Sequence, residues 1–213
     1  MNLLQRMRQQ RGRLMLASLI VLSLAATYIY HSFNSREPAE IALVISEPYE
    51  AMRQRSSAKI DPPYDNSIGF RIPKTKARLR FNDPKYGFIT PPAKFFTVSY
   101  NRGIIETVRM SPQIEPLLYD DAIKIVLDLQ DQWRKAGWTL TLARESPALA
   151  NTSELRDNLR NMKGGVGTTY WQAGEQYQVM LIMALFEDDR HPDEERYLIT
   201  LAIAKPWVKN YSD

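Results

Sequence analysis

Residues 162–170, MKGGVGTTY, set a lysine, three glycines and two threonines in an order that a phosphate-binding loop also uses. Such a loop needs a strand before it, a helix after it, and a lysine at its end to reach the β- and γ-phosphates. Thr168 stands where the second lysine of a KGGxGK[ST] loop belongs, and the pattern around it reads helix first and strand after. No helix N-terminus is then aimed at the glycines. The segment is expected to stop a helix and connect it onward, and to hold no nucleotide.

Histidine and cysteine chemistry is nearly empty. The chain has no cysteine and two histidines, His31 and His191. A single histidine outside residues 14–33 makes no two-histidine metal site, and nothing resembles the G-x-S-x-G nucleophile elbow. Asp120-Asp121 stand at the start of a helical pattern, where carboxylates favour the free N–H groups and the positive dipole end. Neither a cofactor nor a metal is expected. A hydrolytic role in cell wall or lipid would have to use Asp120, Asp121 or His191; the better expectation is a protein that binds rather than catalyses.

Binding chemistry is better represented. EDDRHPDEER (187–196) holds six acids against Arg190 and Arg196, a net charge of −4. It joins two strand patterns and should project from one end of a sheet, where an anionic patch steers a cationic partner. The candidate contact residues are Asp188, Asp189, Asp193, Glu194 and Glu195. Trp171 and Trp207, large aromatics flanking strand ends, are added as anchors. The opposite charge sits in RIPKTKARLR (71–80), with five cations and no acid. It suits anionic headgroups, a partner, or a strand edge that discourages aggregation.

Elements that would position these residues are legible in the second half of the chain. KFFTVSY (94–100) and IIETVRM (104–110), with Asn101-Arg102-Gly103 between them, read as a hairpin. Tyr119, Ala122, Val126, Leu129, Trp133 and Ala136 recur at helical spacing and predict a core-facing helix over 119–136, stopped by Gly137. WTLTL (138–142) alternates as a strand. Asn151 and Glu154 read as a capping box for a short helix through Lys163. TTYWQA and QYQVMLIMALFE form a second hairpin, and RYLITLAIAKPW (196–207) a last strand. The expected class is α+β: a largely antiparallel sheet packed by one main amphipathic helix and one short helix, over residues 94–213.

The first half reads differently. Eight of the 13 prolines fall between Pro38 and Pro92, which predicts a Pro-rich, partly irregular connector over 34–93. Within it EIALVISEPYEAMRQR (40–55) reads as a strand running into a short helix, and Ala77–Phe81 as a strand. Residues 14–33 contain no charged side chain, and twenty helical residues span about 30 Å of bilayer. Four arginines in residues 1–13 account for the whole net charge of +4. They predict a basic cytoplasmic tail, a single inner-membrane anchor and an exported carboxyl-terminal domain. The alternative is a signal peptide cut near Ala25, which leaves the same domain soluble outside the cytoplasm. Charge confined to a tail gives no reason to expect nucleic acid as a partner.

The anchor-plus-small-domain plan, with TTYWQAGEQYQVML and ERYLITLAIAKPW, resembles membrane-anchored periplasmic immunity-type proteins of Gram-negative bacteria. The resemblance implies neutralisation of a toxin by stoichiometric binding, and carries no family site residues onto this chain. Tethering suits that role by raising effective concentration where a toxin acts. The competing expectation is a bitopic component of a secretion or division machine, whose membrane helix is itself a contact surface. Ala17, Ser18, Ala25 and Ala26 are its small residues, without a G-x-x-x-G.

Overall fold

The apolar stripe that starts at Tyr119 becomes the longest helix among the described residues. In the computed structural model, which describes residues 37–161 and 166–209, Tyr119–Lys135 is helical and buries Tyr119, Ala122, Val126, Leu129 and Trp133. We number it α2, after α1 (Tyr49–Arg55) and before α3 (Ser153–Arg160). Asp120 and Asp121 lie in the first turn of α2, and Asp121 meets Lys124 at 3.1 Å. The cap of α3 is Thr152 rather than Asn151: its side chain accepts the Leu155 N–H at 3.1 Å. Residues 14–33 lie outside the described residues, and no described helix is long and apolar enough to cross a membrane.

Among the described residues eleven strands form two sheets. The strands are β1 (Glu40–Leu43), β2 (Ile68–Arg71), β3 (Arg78–Phe81), β4 (Phe88–Ile89), β5 (Phe96–Asn101), β6 (Ile104–Met110), β7 (Leu117–Leu118), β8 (Thr139–Thr141), β9 (Thr168–Ala173), β10 (Tyr177–Phe186) and β11 (Arg196–Ala204). The larger sheet is antiparallel with order β2-β5-β6-β11-β10-β9-β8, and β7 pairs with β11. The smaller has order β1-β3-β4, with β1 and β3 parallel. The class is α+β with a mainly antiparallel sheet. The β5–β6 hairpin turns on Arg102 and Gly103, with φ of 48° and 76°, while Asn101 stays in the strand opposite Ile104. Two left-handed residues make the turn whose twist matches the strands; arginine, not asparagine, takes the first position.

Residues 38–93 are not a connector: they belong to the same compact unit as the rest of the described chain from Pro38 on. They supply α1 and β1–β4, and Ile41, Leu43, Tyr49, Met52, Leu79 and Phe81 are at most 1% exposed. All eight prolines of this stretch fall between elements and none within one. A proline there removes no ladder hydrogen bond and stiffens the turn. High proline density therefore marks short elements joined by rigid corners.

The core is a column of rings. Trp133 of α2 meets Phe88 at 5.7 Å, Trp171 at 5.9 Å and Trp138 at 6.4 Å. Phe81 meets Tyr177 edge-on at 4.9 Å. The column thus joins α2 to both sheets. Around it, buried glutamines stand in for missing backbone partners. Gln130 donates to Leu149 O and accepts from Leu149 N, both at 2.8 Å. Gln113 bridges Tyr197 O and Ile199 N in the same manner. Gln178 accepts from Trp207 N and Val208 N and donates to Val208 O. An amide side chain carries one donor and one acceptor side by side, so each pins an irregular segment without an orphaned polar group.

Candidate partner-binding surface

The acidic loop lies between β10 and β11, as its sequence position requires, but its six carboxylates do two different jobs. Three are locked. Asp188 is buried and accepts from Arg190 Nε at 2.9 Å and Nη2 at 2.8 Å. The Arg190 guanidinium holds its carboxyl down to about 2. Glu194 accepts from Arg196 Nε at 2.9 Å, while Arg196 Nη1 donates to Pro116 O at 2.7 Å.

Glu195 is the most heavily bonded group of the loop. It accepts from Arg160 at 2.5 and 2.8 Å, from Arg156 at 3.1 Å and from the Tyr197 hydroxyl at 2.5 Å. Its carboxyl is held down to about 2, chiefly by Arg160; partial burial opposes this, and Tyr197 and Arg156 reinforce it. Burial, reinforced by Glu195, pushes the Tyr197 hydroxyl up. Arg156 also lies over the Tyr119 ring at 4.9 Å. These bonds fasten the loop to α3 and α2. Counting Arg156 and Arg160 with residues 187–196 reduces the net charge of −4 to −2.

The other three are free. Glu187, Asp189 and Asp193 are exposed and carry no ion pair with a described residue. They rim a cleft of about 500 Å³ that also takes in Leu185, Phe186 and Pro192. Phe186 is 40% exposed. The result is a concave tip with apolar walls and an anionic rim. His191, on the same loop, is 4.0 Å from Glu194 and partly exposed.

The two tryptophans do not join this tip. Trp171 is 3% exposed, part of the ring column, with the Arg134 guanidinium 5.2 Å from its centroid. It is core, and the expectation of a partner contact there is corrected: its alternating position on β9 faces inward. Trp207 is 44% exposed and meets Tyr170 at 6.4 Å. Its backbone is held by Gln178, near the opposite end of β10 from Phe186. Eight residues of strand separate those ends by about 26 Å, so no small interface uses both.

The basic stretch 71–80 is likewise divided. Arg78 and Arg80 bind Glu40 at 2.8 and 2.7 Å. Partial burial raises the Glu40 carboxyl, but the bonds from Arg80 and Arg78 outweigh it and the net shift is downward. Lys74 meets Asp61 at 2.6 Å, and Arg71 stacks 3.6 Å over the Tyr64 ring. Sequence separations of 38 and 40 residues hid the Glu40 pairs. A missed strand, β2, had a readable signal in the alternation of Ile68, Phe70 and Ile72 before Pro73.

Residues 162–165 of the glycine loop lie outside the described residues. Gly167 enters β9 with φ of +81°, and its carbonyl accepts from Met183 N at 2.8 Å. A Cβ added there would lie 2.1 Å from Met183 O. This glycine is required by close strand approach. Gly167→Ala is therefore expected to destabilise the fold by about 2 kcal/mol or more through clash and strain, read as a lowered urea midpoint. An unchanged midpoint would leave the glycine without a structural reason. Among the described residues no cluster of three or more His, Asp or Glu side chains is placed to hold a metal.

Compared with protein-family models, curated proteins and solved structures, the chain finds no match.

Proposed function

We propose that the chain is a membrane-tethered periplasmic binding protein that neutralises a toxin stoichiometrically, of the immunity type. The observation that carries the reading is the division of labour in the 187–196 loop. Arg156, Arg160, Arg190 and Arg196 engage Glu195, Asp188 and Glu194, which leaves Glu187, Asp189 and Asp193 displayed on a preorganised rim. Rigid display lowers the ordering cost of association, and like charges around an apolar wall attract a basic partner before contact.

The test is co-expression with the toxin of the neighbouring gene. The triple variant Glu187→Lys, Asp189→Lys, Asp193→Lys should fold with an unchanged Tm, because none of the three side chains is bonded to a described residue. Association should slow by about 10-fold to 100-fold at low salt, and the advantage of low salt should vanish. Survival of the host should fall accordingly. Full protection by the triple variant would remove this rim from the interface.

A further inference from the structure

The strongest feature unused by this reading is the outer edge of the large sheet. Among the described residues strand β2 bonds to β5 alone, so one of its edges has no described strand beside it. Along it Ile68 is 76% exposed, Phe70 58% and Ile72, just past the strand, 52%. Natural edge strands are usually blunted by charge or a bulge. This one instead shows an apolar row at alternate positions, on the face away from Gly69 and Arg71.

Cations outnumber acids on the segments that flank that row in the chain or pair beside it, with Asp61 and Asp65 the exposed acids between Lys59 and Ile68. Lys74 N donates to Lys59 O at 2.8 Å, and Arg102 N donates to Ser67 O at 2.9 Å. The antiparallel bridge between Ala77 and Ala93 sets Lys76 beside Lys94. Lys59, Lys76, Lys94 and Arg102 are exposed and have no acidic partner among the described residues. A cleft of about 350 Å³ is lined by Arg53, Lys59, Lys74 and the Asp61 that pairs with Lys74.

We propose that this apolar row with its lysine border docks on the headgroup layer of an anionic phospholipid bilayer. Ile68, Phe70 and Ile72 enter the interface while the lysines meet the phosphates, the arrangement that favours an interfacial segment. A protein strand is the poorer occupant. Four residues closed by Pro73 expose an edge of about 13 Å, too little for the roughly 1,000 Å² that a stable protein interface buries. The inference rests on residues 14–33 being a membrane span: residues 34–37 are then the whole link to Pro38, at most about 14 Å of chain.

The experiment uses the full chain in lipid nanodiscs. It has no cysteine, so Ile68→Cys gives a single site for an environment-sensitive dye. In discs containing phosphatidylglycerol the dye should shift to the blue and be quenched by a lipid-borne quencher. In phosphatidylcholine discs it should not. Adding Lys76→Glu and Lys94→Glu should lower the docked population at least tenfold, by the loss of two favourable charges near the surface, and high salt should do the same. Equal emission in both lipids would overturn the proposal. So would a shift that appears only with two chains per disc, which would assign the edge to a second copy. Failure to enter neutral discs would instead remove the anchor; flotation of the labelled chain with phosphatidylglycerol vesicles then decides the edge by itself.

Discussion

Replacing Trp133 with alanine should lower the free energy of unfolding by about 4 kcal/mol, the range found for deleting a fully buried large aromatic. The side chain is 0% exposed and meets Phe88, Trp138 and Trp171. Those rings come from β4, the turn after α2, and β9, so the cavity opens where both sheets meet the helix. Against a usual domain stability of 5–15 kcal/mol, the variant is left marginal. The Trp133 indole N–H makes no hydrogen bond, so nothing polar is lost with it. Trp133→Phe should therefore lose less than half as much, through volume alone. Urea midpoints with unchanged slopes measure both. A loss under about 1 kcal/mol for the alanine variant would contradict the placement of this ring at the junction.

The second large effect is on Glu195, and it carries a pH signature. In the folded chain its carboxyl is held down to about 2, against an ordinary value of 4.5. A carboxylate with a depressed folded pKa contributes stability that is complete above its unfolded pKa and is lost as pH falls through the folded one. The window is thus about pH 4.5 down to 2. Glu195→Gln keeps the shape but leaves Arg156 and Arg160 without their counter-charge. With the Glu195 side chain 25% exposed, solvent screening trims the cost to about 1–2 kcal/mol at pH 7. Below pH 4 the wild type should lose its lead over the variant, and near pH 2 the two stabilities should converge. Asp188 titrates downward in the same range, which is why the difference between the two proteins, rather than either curve alone, reports Glu195. Parallel curves from pH 7 to 2 would show that the Arg156–Glu195–Arg160 cluster contributes nothing. The free acids make the contrast: reversing Glu187, Asp189 and Asp193 should change association and leave stability in place.

The sequence alone determined what is periodic or punctuated within one segment. The stripe from Tyr119 to Trp133 predicted α2 because helical spacing puts those residues on one face whatever they meet. Both hairpins were legible because a turn and its strands are contiguous, and so was the position of the acidic loop between two strands. The division of that loop was not. Glu195 and Asp189 look equivalent in EDDRHPDEER, yet Arg156 and Arg160 approach one and not the other, across 39 and 35 residues of chain. Trp171 and Trp207 look like similar strand-end aromatics, but only the first meets Trp133. Proline density between Pro38 and Pro92 suggests a partly irregular connector, because the parallel pairing of β1 with β3 joins Glu40 to Arg78 and has no local trace. In each case the deciding term is a partner's identity, set by strand register and helix docking. Desolvation and pairing energies act on neighbours in space, so the same residue types become core, clamp or free surface only once the tertiary fold has chosen what stands opposite them.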